Sequence, residues 1–269
     1  MVLFPNAKIN IGLHIVAKRP DGFHELETCF FHVPWTDILE ITPNPKVEFS
    51  SSGLPISGKI ENNLCLRAYY ALAKDFHVPP VHLHLHKIIP MGAGLGGGSA
   101  DAAFTLMGLR DLFDLPLTKE QLVPYAQQLG SDCAFFLFQQ AQMGKGKGDE
   151  LSPIACSLQG YHVVLIYPNF GISTQEAYSQ VKPQTATYNL TQSIQEPIEH
   201  WKDQISNDFE LSLFPKYPIL NQIKQELYDQ GAIYAAMSGS GSTIFGIFKK
   251  EVDLAERWAD FTFFQGLIS

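Results

Sequence analysis

The sequence is short of what would place it in a bilayer, on nucleic acid or outside the cell. No apolar run reaches the ~18–20 residues a helical span needs; the longest stretches, around Cys133–Phe138 and Val163–Tyr167, are strand-sized. Basic residues are in deficit, 19 Lys and Arg against 27 Asp and Glu, a formal charge of −8. Neither a polyanion nor an anionic membrane is attracted without a basic surplus, although a local basic pocket for a small anion stays open. Cysteine is scarce: Cys29, Cys65, Cys133 and Cys156 are scattered with no C-x-x-C pair. Buried thiols in a reducing cytoplasm are therefore expected, not a disulfide frame or a zinc site. The first eight residues show no charged segment running into an apolar one, so no signal peptide is expected. Internal repeats and low-complexity tracts are also missing.

What is present is apolar material, 45% of 269 residues with 19 Phe and 10 Tyr, enough for a substantial core and too much for a disordered chain. The length suits two lobes better than one ordinary domain. The expected division is an N-terminal lobe over 1–155 and a C-terminal lobe over 156–269. Ile9, Ile11, Leu13 and Ile15 alternate with Asn10, Gly12 and His14, the period of a strand with one buried face and with Lys8 and Asn10 on the other. Arg19-Pro20-Asp21-Gly22 is a turn, followed by strands over Phe23–Val33 and Asp37–Thr42. Pro43–Gly58 reads as a loop-dominated connection. A helix starts at Asn62-Asn63, Val81–His86 alternates as a strand, and Ser99–Phe113 is a helix ended by Pro116. Thr118-x-x-Gln121 and Ser173-x-x-Glu176 are capping boxes. Tyr161–Tyr167, Ala232–Met237 and Ser242–Phe248 read as strands, and Pro218–Gln230 as a helix. Strands and helices mix without regular alternation, which argues an α+β fold.

The strongest chemical signal is Pro90–Ser99, Pro-Met-Gly-Ala-Gly-Leu-Gly-Gly-Gly-Ser. Its glycines let the backbone approach a ligand and turn N–H groups inward, and the helix that follows offers its positive end, so a phosphate site is expected. The loop lacks the Gly-Lys-Ser/Thr of a Walker A sequence. Lys8 alone could as well extend to solvent. Asp132 in Gly130-Ser131-Asp132, before an apolar strand, could as well be a cap or turn former; a partly buried Asp beside a buried Lys suits the handling of a hydroxyl proton. The turn Ser238-Gly239-Ser240-Gly241-Ser242 is either a hairpin hinge or a second anion contact. Gly144-Lys145-Gly146-Lys147-Gly148 reads as a solvated hairpin, and His82, His84 and His86 as an exposed polar face, since no third metal ligand is visible.

These motifs together carry a resemblance. Ala7-Lys8-Ile9-Asn10, Arg19-Pro20-Asp21-Gly22-Phe23-His24-Glu25-Leu26, Pro90–Ala103, Gly130-Ser131-Asp132 and Ser238–Ser242 resemble, in this order and spacing, the GHMP kinase superfamily. The likeness runs from about residue 7 to about residue 248 and is most specific to the branch acting on a cytidine-diphosphate-linked polyol. It implies a two-lobed fold with ATP and substrate in the cleft between the lobes and Mg²⁺ as cofactor; the composition above already points to a cytoplasmic location and to no nucleic-acid or membrane partner. Lys8 and Asp132 match the catalytic pair: Asp132 accepts the proton of the substrate's 2-hydroxyl, and Lys8 keeps that carboxylate ionised and steadies developing charge. Pro90, Met91, Gly92, Ala93, Gly94, Leu95, Gly96, Gly97, Gly98 and Ser99 match the ATP-phosphate loop, and Asn63 and Leu64 the adenine pocket. Phe23 and His24 match the residues that hold cytosine, with Tyr178 on the opposite face. Asn10 and Phe30 border the methylerythritol part, and Gly239 and Ser240 complete the substrate site. The chain departs from the branch in two places: Phe23 stands where Tyr is common, and Ala100 where a second Ser is usual, so that hydroxyl's role passes to Ser99 or water. A homoserine, sugar or mevalonate kinase of the same superfamily and a non-catalytic nucleotide-binding module are the alternatives.

Overall fold

In the computed structural model, which describes residues 1–181, 183 and 188–268, strands form where apolar residues alternate, as over Val81–Lys87, or run together, as over Ile244–Phe248. In chain order the strands are β1 (Val2–Leu3), β2 (Asn6–Lys18), β3 (His24–Thr36), β4 (Ile38–Pro43), β5 (Glu48–Gly53), β6 (Val81–Lys87), β7 (Gln142–Lys145), β8 (Glu150–Pro153), β9 (His162–Tyr167), β10 (Tyr234–Met237), β11 (Ile244–Phe248) and β12 (Thr262–Leu267). The helices are α1 (Leu64–Ala73), α2 (Gly97–Leu112), α3 (Lys119–Leu129), α4 (Thr174–Gln180), α5 (Leu190–Gln195), α6 (Trp201–Gln204), α7 (Asp208–Lys216) and α8 (Pro218–Asp229). The chain divides into two units. The first comprises Met1–Ala7, Trp35–Met91 and Gly96–Gln139; the second Lys8–Pro34, Gly92–Leu95 and Gln140–Ser269.

The first unit is built on a sheet in the order β1-β4-β6-β5. β4 runs antiparallel to β6, with Ile38 opposite His86 and Pro43 opposite Val81, and β5 runs parallel to it. Val81, Leu83 and Leu85 of β6 are buried. The opposite face is not simply solvated. Ser50 Oγ lies 2.7 Å from both His82 Nε2 and His84 Nδ1, and Ser52 Oγ lies 3.0 Å from His84 Nε2 and 2.9 Å from His86 Nδ1. β5 corrects the expectation of a loop over Pro43–Gly58. Its sequence, Glu-Phe-Ser-Ser-Ser-Gly, has no apolar alternation because cross-strand hydrogen bonds to histidine hold its outer face in place of packing. Cys133–Leu137 is a second correction, a 3₁₀ helix with all five residues buried instead of a strand. A short continuous apolar run does not by itself distinguish the two. α3 opens on the expected capping box, Thr118 accepting from the Gln121 N–H while the Gln121 side chain accepts from the Thr118 N–H.

The second unit holds the sheets β2-β3-β7-β8 and β10-β11-β9-β12. Its core joins Leu13, Ile15 and Leu26 to Val164, Ile166 and Ile244 and to Phe209, Leu213, Leu220, Ile223 and Leu227 on α7 and α8. β2 departs from the one-face expectation, since Ala7 to Ile15 is buried without interruption. Lys8 and Asn10 are therefore core residues, 3% and 2% exposed. Gly144 and Lys145 end β7, with Lys145 opposite Glu150, and residues 146–149 form the turn of the β7–β8 hairpin. Ser173 caps α4 by accepting from the Glu176 N–H. The Glu176 carboxylate does not complete a box; it pairs with Lys216 and accepts from Tyr217 Oη at 2.6 Å.

Candidate active site

Burying a lysine requires partners for its ammonium. Lys8 Nζ donates to Asn10 Oδ1 at 2.6 Å and to the Gly94 carbonyl at 3.0 Å, and stands 5.4 Å from the centre of the Phe30 ring. The chain of donors continues: Asn10 Nδ2 donates to Thr28 Oγ1 at 2.9 Å, and Thr28 donates to the Gly12 carbonyl at 2.6 Å. Each group has its direction fixed by the next, so the ammonium is held in one place. The 238–242 turn belongs to the same cluster. Ser238 Oγ also donates to the Gly94 carbonyl, at 2.8 Å, and Asn207 Nδ2 donates to the Met237 and Gly239 carbonyls at 2.8 and 2.9 Å. A Cβ placed on Gly239 would lie 3.3 Å from Asn10 Oδ1 and 3.4 Å from Lys8 Nζ. Lys8, Asn10, Phe30, Gly94 and Gly239 are thus brought together, with Ser240 half-buried in the adjoining turn.

In the first unit Gly96 takes a left-handed conformation (φ +70°) at the N-cap of α2, and Gly97, Gly98 and Ser99 form the helix's first turn. Backbone N–H groups at that end are unpaired within the helix and suit an anion. Beside it is a cavity of about 400 Å³ lined by Phe49, Leu64, Leu85, Met91 and Gly98, with Asn63, Lys87 and Asp101 among its polar residues. Asn63 also caps α1, accepting from the Cys65 N–H at 2.8 Å. Below the cavity Lys87 is fully enclosed, pairing with Asp37 and, at 2.8 Å, with Asp101. Burial opposes the Lys87 charge, but Asp101 and Asp37 outweigh it and lift its pKa above the ordinary lysine value. Burial pushes the Asp101 carboxyl up to about 7, with Lys87 opposing the rise and Asp37 adding to it. Asp132 stands half-buried immediately before the 3₁₀ helix and accepts from Ser131 Oγ at 3.2 Å.

The aromatic residues expected around cytosine lie in the second unit. The turn before them is fixed by Arg19, whose Nη1 donates to Glu25 at 2.7 Å, and by Asp21, which accepts from the Phe23 N–H at 3.1 Å. Phe23 is 57% exposed, with the Lys147 ammonium 4.9 Å from its ring centre. His24 and Tyr178 stack directly on one another, ring centres 4.7 Å apart, and Tyr178 in turn meets Phe209 edge-on at 4.9 Å. Burial, with Lys18 nearby, lowers the His24 pKa and favours its neutral ring.

Sequence reasoning did not single out Asp37, Lys87, Asp101 or Asn207. For Lys87 a signal existed: it continues the buried register of Val81, Leu83 and Leu85, and a lysine on an apolar face demands carboxylates.

The model of the GHMP kinases N-terminal domain matches residues 63–140, and that of the GHMP kinases C-terminal region matches residues 192–262. The chain belongs to the GHMP kinase family. It is 51% identical over 255 residues to the 4-diphosphocytidyl-2-C-methyl-D-erythritol kinase of Bacteroides fragilis, covering 93% of each chain. To the enzyme of that name from Parabacteroides distasonis it is 43% identical over the whole of both chains. A crystal structure of 4-(cytidine 5'-diphospho)-2C-methyl-D-erythritol kinase superposes with a TM-score of 0.80 at 29% identity, covering 99% of this chain and 98% of the other. Within the GHMP kinases, the chain belongs with the 4-diphosphocytidyl-2-C-methyl-D-erythritol kinases.

Proposed function

We propose that the chain transfers the γ-phosphoryl group of ATP to the 2-hydroxyl of 4-diphosphocytidyl-2-C-methyl-D-erythritol, a step in isoprenoid precursor synthesis. The observation that carries this reading is the fixed ammonium of Lys8, buried against a carbonyl of the glycine loop and flanked by Asn10 and Phe30. It is supported by the activity named for relatives as much as 51% identical. Phosphoryl transfer asks mainly for positioning and charge neutralisation. The N-terminus of α2 and its glycines hold the phosphates, and the cavity beside them holds the adenine against Asn63 and Leu64. Asp132 takes the proton of the attacking hydroxyl, and Lys8 steadies the charge that develops on the transferring group. Asn10, Phe30, Gly239 and Ser240 orient the polyol, while Phe23 and His24 hold the cytosine; Tyr178 backs His24, its ring centre 4.7 Å away leaving no slot for a base between them.

Among the described residues no cluster of three or more His, Cys, Asp or Glu side chains could hold a metal ion. Mg²⁺ in kinases takes one or two protein oxygens and otherwise phosphate oxygens and water, so it needs no such cluster. We assign the Ser99 hydroxyl to it; when bound, the ion neutralises charge on the β- and γ-phosphates. The test is to incubate the chain with ATP, Mg²⁺ and the cytidyl substrate and to locate the new phosphate by phosphorus and carbon NMR. A 2-phosphate is expected; ATP hydrolysis without a phosphorylated product would refute the reading.

A further inference from the structure

The hydrogen bonds behind Lys8 run in one direction only, and both ends of the run fix that direction. One end is the peptide group between Gly12 and Leu13. Its N–H donates to the Ser206 carbonyl at 3.0 Å. Gly12 takes a left-handed φ of +71°, where a Cβ would lie 2.6 Å from Leu190 Cδ1 and 2.8 Å from Ile205 Cγ2. The Gly12 carbonyl is thus pinned through its own peptide plane, and a carbonyl only accepts. The single proton of Thr28 Oγ1 is committed to it at 2.6 Å. Thr28 has then only lone pairs to offer Asn10 Nδ2, which donates to it at 2.9 Å. At the other end an ammonium only donates, and Lys8 Nζ takes Asn10 Oδ1 at 2.6 Å. Thr28 is 1% exposed and stands on β3 opposite Gly144. The two ends of a carboxamide have nearly the same shape, so packing does not choose between them; hydrogen-bond polarity does.

We propose that Thr28 is a positioning residue for phosphoryl transfer: its hydroxyl, accepting from Asn10 Nδ2, keeps the Asn10 oxygen turned to Lys8 and so places the ammonium. This rests on the reading of Lys8 as the group that steadies charge on the transferring phosphoryl. With the amide reversed, Nδ2 would face the ammonium, donor against donor, and Oδ1 would face a hydroxyl whose proton is spent on Gly12. Removing the hydroxyl strips the buried Gly12 carbonyl of this bond and leaves Asn10 Nδ2 unpaired. Unpaired buried groups are costly, and the amide regains a partner only by turning away from Lys8. The Gly94 carbonyl alone then holds the ammonium within this relay. Thr28 touches neither substrate nor nucleotide in this scheme; it acts through Asn10.

The experiment measures steady-state kinetics of the intact chain with ATP, Mg²⁺ and the cytidyl substrate for Thr28→Val and Thr28→Ser. Valine keeps the shape without the hydroxyl, and serine keeps the hydroxyl without the methyl. Thr28→Val should lower kcat by about 10–100-fold, the range lost when a group that stabilises the transition state is misplaced, with KM for ATP within about threefold. Thr28→Ser should keep at least about a third of kcat, whereas a role in packing alone would favour valine over serine. In an Asn10→Ala background Thr28→Val should change kcat by less than about twofold, because its only route is through Asn10. A full effect in that background overturns the proposal, as does Thr28→Ser no faster than Thr28→Val, or Thr28→Val within about threefold of the unmodified chain. Neutron diffraction from the deuterium-exchanged, unmodified chain decides even if a variant does not fold. Deuterons are expected on Asn10 Nδ2 toward Thr28 and on Thr28 Oγ1 toward Gly12; a Thr28 deuteron directed at Asn10 overturns the proposal. Lys8→Met separates the two levels. An unchanged kcat there refutes the reading of Lys8 itself, whereas a loss there with normal kcat in Thr28→Val refutes this inference alone.

Discussion

Gly94 is where the glycine loop, Lys8 and the 238–242 turn converge, and replacing it with alanine puts the site's construction to a quantitative test. Its φ is +80°, and a methyl group there would lie 2.0 Å from the Ser238 carbonyl oxygen and 3.2 Å from that of Gly241. Both neighbours are backbone, so one strand of the turn must give way by more than an ångström. The left-handed conformation costs a residue with a side chain roughly 1–2 kcal/mol. Displacement also weakens the two hydrogen bonds onto the Gly94 carbonyl, from Lys8 at 3.0 Å and Ser238 at 2.8 Å. A neutral bond is worth about 0.5–1.5 kcal/mol and one from a charged group about 1.5–3. A destabilisation of about 3–5 kcal/mol follows, or a fall in Tm of roughly 6–15 °C. With Lys8 released from its carbonyl, kcat should drop by about 10–100-fold, in the range lost when a group that stabilises the transition state is misplaced. Calorimetry and a coupled ADP-release assay read both effects. Tm within about 2 °C and kcat within about twofold of the unmodified chain would show that this convergence neither holds the fold nor positions Lys8.

Asp132→Asn should reduce turnover by about 10²–10⁴ while leaving ATP affinity nearly unchanged, because the amide keeps the shape but cannot take the hydroxyl proton; retention of more than about a tenth of the rate removes it from that role. Phe23→Ala should raise KM for the cytidyl substrate by an amount equivalent to about 1–3 kcal/mol of stacking, with Phe23→Tyr near neutral. Because Phe23 is largely exposed, Tm should hardly move, and an equal loss in both variants would refute stacking. The folded chain holds the Asp101 proton with a pKa of about 7 against an ordinary 3.8. It therefore binds that proton more tightly than the unfolded chain, and stability falls as pH rises through this window and levels above it. Asp101→Asn should accordingly gain about 2–3 kcal/mol relative to the unmodified chain between about pH 5 and about pH 8 in urea titrations. Parallel curves would contradict the shift; Lys87, with its pKa raised, adds nothing until well into the alkaline range.

Legibility in the sequence followed the range of the interaction. Caps and turns were readable because their partners are three residues apart, as at Thr118 and Gln121 or Ser173 and the Glu176 N–H. Alternation located β2 and put Lys8 and Asn10 on one face, but alternation reports the difference between two faces and not whether the polar one is covered. β2 is covered on both, and the polar side chains satisfy each other through Thr28. β5 was invisible because serine and glycine carry no pattern, and its reason for existing lies in histidines on another strand. The composition of the glycine loop pointed to a phosphate site, the role proposed for it above. The direct stacking of His24 on Tyr178, and the grip of Asn207 on the 238–242 turn, join residues far apart in the chain, and no local pattern marks them. The resemblance supplied what periodicity lacked for Lys8 and Asp132, each of which alone reads as ordinary.

The most direct measurement of the central claim is a comparison of acceptors under one set of conditions. With ATP and Mg²⁺ saturating, kcat/KM should be determined for 4-diphosphocytidyl-2-C-methyl-D-erythritol, for methylerythritol 4-phosphate, and for homoserine, mevalonate and galactose. If the cytidyl group is the handle that positions a remote hydroxyl, its removal should lower kcat as well as raise KM, because such binding energy is spent on a near-attack geometry. The account requires the cytidyl substrate to be preferred over every other acceptor by at least about 10³-fold. Preference for homoserine, mevalonate or galactose, or equal use of the substrate with and without its cytidyl group, would contradict it.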